Sequence, residues 1–173
     1  MRIYDGSPRQ GWEEALRSVG AFADEQKLKE LLFLELEGGF VLQGLGLQSA
    51  GADSDSFGTT AKRTYELADE QIAELMDARQ ANRGSADSDR PNADLTNYYE
   101  HAMRVLGAYI DGQKAHDVFL FEQEGSFVLR LWGVGGGRGG HQLSEFTRDE
   151  ILAMIHAAPE HRSTPAPQPG GAP

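Results

Sequence analysis

Two glutamates, Glu35 and Glu122, each follow a run of four apolar residues, and such carboxylates could take part in acid/base or metal chemistry. Two carboxylates brought together in a buried site repel each other, which raises one pKa and prepares an acid/base pair or a metal site. The pattern therefore raises the hypothesis of a hydrolase or metal enzyme using Glu35 and Glu122. The competing interpretation, which we favour, is structural pairing of each glutamate with a neighbouring base such as Arg17 or Arg104.

A second set of candidate residues lies near the end of the chain and comprises Arg130, Trp132, Arg138 and His141. An aromatic ring that can stack on a base, together with two arginines, is typical of nucleic-acid sites. The Gly-rich run at 133–140 could offer backbone N–H groups to an anion, but it lacks the Lys-Ser or Lys-Thr ending of a P-loop. We predict that these four residues form a binding surface.

Metal and cofactor chemistry has little support in the sequence. All five histidines stand after residue 100, and their spacing matches no compact ligand motif: His101, His116, His141, His156 and His161. The Asp-Ser-Asp segments at 53–55 and 87–89 lack the further ligands and the glycine of a calcium loop. The chain has no cysteine, no Ser-His-Asp elbow and no dinucleotide fingerprint. We predict no metal, no cofactor and no enzymatic activity.

These candidates are positioned by a stretch of sequence that occurs twice. A shift of 87 residues superposes Ser7 to Leu47 on Asp94 to Val134 without a gap. Internal similarity of this length is typical of a duplicated supersecondary unit whose copies pack on each other. The identities include glutamates, glycines and apolar strand residues, among them the pairs Glu35/Glu122, Gly20/Gly107, Asp24/Asp111 and Phe40/Phe127.

Each copy opens with an amphipathic helix. Ser7 and Asp94 are candidate N-caps, and apolar residues then recur at helical spacing, beginning with Trp12 in the first copy. Gly20 and Gly107 interrupt both helices. Because a mid-helix glycine costs about 1 kcal/mol, its presence in both copies indicates that another backbone passes close by.

A β-hairpin follows each helix. Gly38-Gly39 and Gly125-Ser126 are candidate two-residue turns, and this register pairs Glu35 with Leu42 and Glu122 with Leu129. Apolar residues would then occupy both faces of each hairpin. We therefore expect helices to cover one face, and the partner copy to meet the other face or the strand ends.

Weaker patterns complete each copy with a third strand, at 61–67 and 141–146, and a second helix. Asp69 or a neighbour is the expected cap of the first of these helices. Thr147 with Glu150 is the expected cap of the second, and Pro159 is expected to end it. The pattern predicts an α+β protein, a tandem duplication of a helix-β-β-β-helix unit forming a pseudo-two-fold intramolecular dimer with one shared or two apposed antiparallel sheets.

The predicted domain organisation follows from composition. The first repeat covers residues 1–80, a polar linker covers 81–93, and the second repeat covers 94–158. The Pro/Gly-rich segment 159–173 lacks periodicity and is predicted to be a disordered tail.

Charge and composition disfavour some classes of partner. A net charge of -11 and a pI near 4.8 disfavour nucleic acid, since phosphate binding needs clustered Lys and Arg. No apolar run approaches the roughly 20 residues of a membrane span, and with no cysteine we expect a cytoplasmic protein without a membrane partner. We predict a non-enzymatic protein-interaction module, an adaptor, chaperone-like or regulatory protein. Its partner would bind the inter-repeat groove or a sheet edge, and self-association is left open.

Overall fold

The computed structural model describes residues 11–47, 60–81, 91–136 and 139–162, which form four helices and six strands. The helices and strands in chain order are α1 (Trp12–Glu25), β1 (Lys29–Leu36), β2 (Gly39–Leu47), β3 (Thr60–Ala68), α2 (Asp69–Ala81), α3 (Tyr98–Gln113), β4 (Asp117–Gln123), β5 (Ser126–Trp132), β6 (His141–Phe146) and α4 (Arg148–Arg162). The α+β class and the third strand of each half are confirmed.

All six strands belong to one antiparallel sheet in the order β3-β2-β1-β4-β5-β6. The halves of the chain meet edge to edge, where β1 pairs with β4 and Leu32 and Leu34 stand opposite Phe121 and Phe119. One shared sheet is therefore the arrangement that the chain adopts. β3 and β6 are its outer strands.

The register that we predicted for both hairpins is wrong by two residues. Leu36 pairs with Gly39 and Gln123 pairs with Ser126, so the turns are Glu37-Gly38 and Glu124-Gly125. Gly38 has φ 82°, and Glu124 and Gly125 have φ 51° and 84°. A left-handed residue is therefore available one position earlier than we expected, and a shift of two leaves every side chain on its original face.

The helices cover only one face of the sheet. Buried residues of all four helices share one core with alternate strand residues that include Leu31, Phe33, Leu120 and Leu129. The residues between them point to the opposite face, which we call the open face. Its apolar side chains are Leu32, Leu34, Leu36, Val41, Leu45, Phe119, Phe121, Val128, Trp132 and Leu143. Our expectation that both faces are covered is wrong for the described elements, because the halves join through strand edges.

α1 and α3 pack through their glycines, as we predicted. A Cβ atom built on Gly20 would lie 2.7 Å from the Tyr99 carbonyl carbon, and one on Gly107 would lie 2.6 Å from the Trp12 carbonyl carbon. Any larger residue would overlap the neighbouring backbone. The glycines therefore set the distance between the two helices.

The start of each of these helices is bound by an aspartate from the other. Asp24 accepts hydrogen bonds from the backbone N–H groups of Tyr99 (3.1 Å) and Glu100 (2.8 Å). Asp111 accepts them from Trp12 (3.0 Å) and Glu13 (3.1 Å). A carboxylate is favoured there because the first N–H groups of a helix have no intrahelical acceptor.

The local cap that we predicted for α3 does not act. Asp94 is wrong as a cap, since it accepts from the backbone and hydroxyl of Thr96 and α3 begins only at Tyr98. Ser7 lies outside the described residues. Thr147 and Glu150 do form the predicted capping box of α4. That helix continues past Pro159 to Arg162, because a proline removes one hydrogen bond without always ending a helix.

The buried Asp24 carboxyl should make folding depend on pH. Burial raises its pKa from 3.8 to about 6, against the opposing effect of the two N–H bonds. The folded chain thus binds a proton between about pH 6 and pH 4 that the unfolded chain lacks, and acidification stabilises the fold in this window. From about pH 7.5 to about pH 4.5, we expect the free energy of unfolding to rise by about 1–2 kcal/mol relative to Asp24→Asn.

Urea unfolding at several pH values measures this difference. Asp94→Asn is the matched control: Asp94 is exposed, and the bonds from Thr96 lower its pKa, so it stays ionised throughout. Its profile should parallel that of the unmodified chain. A parallel profile for Asp24→Asn as well would contradict the prediction.

Candidate functional site

A groove of about 820 Å³ lies where the two halves of the sheet separate. β1 pairs with β4 from Leu32 to Leu34. Beyond that point the β1-β2 turn and the start of β4 diverge, and the space between them is the junction groove. It is lined by Leu34, Glu35, Leu36, Glu37, Gly38, Phe40, Asp69, Asp117, Val118 and Trp132.

Apolar walls and carboxylates are combined in the junction groove. Leu36 and Trp132 stand at its mouth with 51% and 37% exposure, and Phe40 is buried on the helix side. Four carboxylates line it, and no Lys or Arg stands among the described lining residues. A volume of this size is in the range of pockets that bind small molecules or side chains. The groove is chemically suited to an apolar group that carries a positive charge.

Different elements position the acidic side chains. Glu35 is the last inward-facing residue of β1, Glu37 is in the hairpin turn, and Asp69 is the first residue of α2. Asp117 begins β4, and its Oδ2 lies 2.9 Å from Nδ1 of the preceding His116. Sheet topology, and not sequence proximity, brings these groups together.

The opposite end of the β1-β4 pair is built differently. A bulge interrupts β1 between Lys29 and Leu32, and the Leu31 N–H donates to Glu122 at 3.4 Å. Burial, together with the adjacent Glu122 carboxylate, raises the pKa of Tyr99, so this hydroxyl stays protonated and hydrogen-bonds Glu122. Glu122 therefore has structural partners at this end of the strand pair, and Glu35 lines the groove at the other end.

Glu35 and Glu122 are not brought together as a carboxylate pair. The register places Glu35 beyond Leu34 and Glu122 beyond Phe121, towards opposite ends of the two central strands. Four residues of strand separate these levels, or roughly 13 Å. Arg17, one of the bases that we expected near Glu35, bonds Glu100 at 3.1 Å.

Three of the four predicted binding residues form one cluster. Arg130 Nε donates to His141 Nε2 at 3.0 Å, and the Arg130 guanidinium lies 5.4 Å from the centre of the Trp132 ring. The Trp132 and His141 rings are 5.8 Å apart. The cluster stands on the open face beside the junction groove, which Trp132 also lines. Arg138 lies outside the described residues, and the binding role of all four remains a prediction.

The histidines are dispersed. His101 is buried in α3 with its Nε2 3.3 Å from Asn97 Nδ2, while His116 and His141 have the separate partners described above. Within the described residues, no three His, Asp or Glu side chains are grouped so that they could hold a metal ion. Both Asp-Ser-Asp segments lie outside those residues.

Sequence reasoning missed most of the groove. Leu36, Phe40, Asp69 and Asp117 come from separate elements, and only the strand order makes them neighbours. One signal was present: Leu36 is a large apolar residue at a hairpin end, where a polar residue is usual. The first half of the chain contributes most of the groove lining.

Comparison with protein-family models, with characterised proteins and with solved structures finds no significant match to this chain. Among the described helices, none combines the length and apolar character that a membrane span requires.

Proposed function

We propose that the chain is a duplicated unit folded as a pseudo-two-fold intramolecular dimer. The support is a set of contacts that occur in pairs under the 87-residue shift. Gly20 lies against Tyr99 as Gly107 lies against Trp12, and the two helix-capping aspartates are related in the same way. The strand order is also symmetric about the β1-β4 pair. Reciprocal contacts of this kind are those of an isologous interface.

We further propose that the protein is a non-enzymatic interaction module, of the adaptor, chaperone-like or regulatory kind, which binds a protein partner in the junction groove. The observation that carries this proposal is the composition of that groove. It lies between the two halves, with apolar walls, four carboxylates and two exposed large side chains at its mouth. Exposed aromatic and aliphatic side chains beside a cavity are typical anchors for a partner.

The chemistry of the groove specifies its occupant. An apolar side chain fits between Leu36, Phe40 and Trp132, and a neighbouring Lys or Arg would meet the surrounding carboxylates. The net charge of -11 favours encounter with such a basic segment. We therefore propose a peptide segment in which a large apolar residue adjoins Lys or Arg.

Nucleic acid is a poorer fit to the same surface. Arg130 and Trp132 could contact a phosphate and a base, but Trp132 lines the groove together with four carboxylates. These carboxylates would repel a phosphate backbone that approached the ring.

Peptide selection tests the proposal. A displayed library of random peptides is selected on the full chain, and the affinity of enriched peptides is measured by fluorescence anisotropy. We expect enrichment of large apolar residues next to Lys or Arg. The double variant Glu37→Gln, Asp117→Asn should weaken these peptides about tenfold, because it removes two groove charges.

The matched control is Glu74→Gln, Asp77→Asn, which makes the same two changes on the exposed surface of α2. It should leave the affinity within about twofold of the unmodified chain. Peptides without basic residues, or equal losses in both double variants, would refute the proposed groove function.

A further inference from the structure

The open face of the sheet is apolar at its centre. Leu32 and Leu34 on β1 and Phe119 and Phe121 on β4 stand side by side, and Val41 and Val128 flank them. Leu143, on the outer strand β6, is 65% exposed. No described helix packs on this face, and a contiguous apolar patch of this kind marks an interaction surface.

The register also places charged side chains on both sides of this apolar centre. One row across the sheet runs Glu66, Val41, Leu34, Phe119, Arg130, Leu143, and the next runs Thr64, Gln43, Leu32, Phe121, Val128, Glu145. Lys62 stands one row further along β3. β3 thus carries a base at one end and an acid at the other, and the β5-β6 side carries them in the reverse order.

Such an alternating pattern is complementary to itself. Turning a second copy about a two-fold axis parallel to the strands brings Lys62 towards Glu145 of the second copy, and Glu66 towards its Arg130. A two-fold axis across the strands, still in the plane between the sheets, brings Lys62 towards Glu66 of the second copy. Either axis matches unlike charges around an apolar centre, as an isologous interface requires.

We infer that the open face binds the same face of a second copy of this chain, forming a homodimer of two face-packed sheets. The regularly paired strands put two cations and three carboxylates on this face: Lys62, Arg130, Glu66, Asp117 and Glu145. Most of the net charge of -11 therefore lies elsewhere. Repulsion between copies is correspondingly small at the contact.

The size of the face suits a stable dimer. Six strands span roughly 29 Å across the sheet, and the four rows of side chains, two residues apart, span roughly 20 Å along the strands, or about 600 Å² on each copy. Two copies would bury about 1,200 Å², which is the lower end of the range for specific protein interfaces. Aligned sheets pack face to face at about 10 Å, so Phe119 and Phe121 would interdigitate with their counterparts.

This inference does not rest on the proposed groove function, although Leu36, Asp117 and Trp132 belong both to the open face and to the lining of the groove. Glu35, Phe40 and Val118 stand on the helix side of the sheet, so the floor of the junction groove is outside the contact between the sheets. A monomeric protein could still bind a basic peptide, and a dimer could fail to do so.

Sedimentation velocity of the full chain measures the outcome. We expect a species of twice 18.9 kDa at concentrations of about 10 to 100 μM. Phe121→Asp should raise the dissociation constant at least tenfold, because it places a charge in the apolar centre, while circular dichroism shows the fold retained. Monomer throughout this concentration range in the unmodified chain would overturn the inference.

Charge exchange supplies a second test that does not disturb the apolar centre. Lys62→Glu should weaken the dimer about fivefold. Adding Glu145→Lys should restore it for an axis parallel to the strands, whereas adding Glu66→Lys should restore it for an axis across them. The control Glu74→Lys, on α2, should have no effect; equal dissociation constants for Lys62→Glu and this control would count against the inference.

Discussion

Gly20→Ala should lower the free energy of unfolding by about 3 kcal/mol, although alanine is the better helix former by about 1 kcal/mol. The added Cβ would overlap the Tyr99 carbonyl group and approach the Glu100 Cα to 2.9 Å. These are backbone atoms inside a helix, so they cannot rotate away as a side chain would. The overlap must separate α1 from α3, which together hold much of the core.

Gly112→Ala is the matched control, because Gly112 is likewise a helical glycine, in α3, and a Cβ there would meet nothing within 4 Å. Alanine at this position should stabilise the protein by about 0.5–1 kcal/mol. Guanidinium unfolding of both variants measures the difference, and Gly107→Ala should behave like Gly20→Ala. Equal stabilities for Gly20→Ala and Gly112→Ala would show that the helices do not depend on this close approach.

The sequence was sufficient to predict this helix contact, because a glycine that weakens both helices at the same place indicates that close packing compensates for its cost. It was also sufficient for the strands, because runs such as Val118 to Phe121 have the length and residue types of buried strands. The position of the turn did not follow from the sequence, because Gly38 and Gly39 are adjacent and either can be the second residue of the turn. Moving the turn by one residue shifts the strand pairing by two, which changes the cross-strand partners but leaves each side chain on the same face of the sheet.

The contacts made across long sequence separations could not be predicted. Asp24 and Asp111 look like ordinary turn residues in the sequence, because their acceptor role depends on helix starts that are 75 or more residues away. The junction groove could not be predicted from the sequence for the same reason. Its residues become neighbours only when β1 pairs with β4, and nothing local in either strand specifies that edge pairing.

The open face shows how one accurate observation led to a wrong expectation. Apolar residues on both faces of each hairpin correctly indicated two apolar surfaces, and we expected the partner copy to meet the second face or the strand ends. Edge pairing of Leu32 with Phe121 satisfies the strands' backbone groups but leaves the second face without a described cover. The same pattern thus became the basis for an interface with a second copy.

The second large loss of stability that we predict concerns a buried ionic cluster that joins three helices. Glu100 Oε1 on α3 lies 3.0 Å from Arg17 Nη2 on α1 and 2.6 Å from Arg79 Nη2 on α2. The Arg17 side chain is 0% exposed, and the other two are 13% and 17% exposed. One carboxylate thus forms ion pairs with two guanidinium groups that are largely removed from water.

Glu100→Gln should lower the free energy of unfolding by about 3–4 kcal/mol, because it takes a shared negative charge from two buried cations. Urea unfolding measures the loss. Glu74→Gln makes the same chemical change on the exposed surface of α2 and should stay within about 0.5 kcal/mol of the unmodified chain.

A second substitution separates the charge from the packing. Arg17→Met combined with Glu100→Gln removes a buried cation with its carboxylate and keeps a long apolar side chain between the helices. Replacing both members of a buried pair is often close to neutral. The double variant should therefore recover at least about half of the stability lost in Glu100→Gln. If its loss instead equals or exceeds the sum of the two single losses, Glu100 stabilises the helices through its shape and hydrogen bonds, and its charge contributes little.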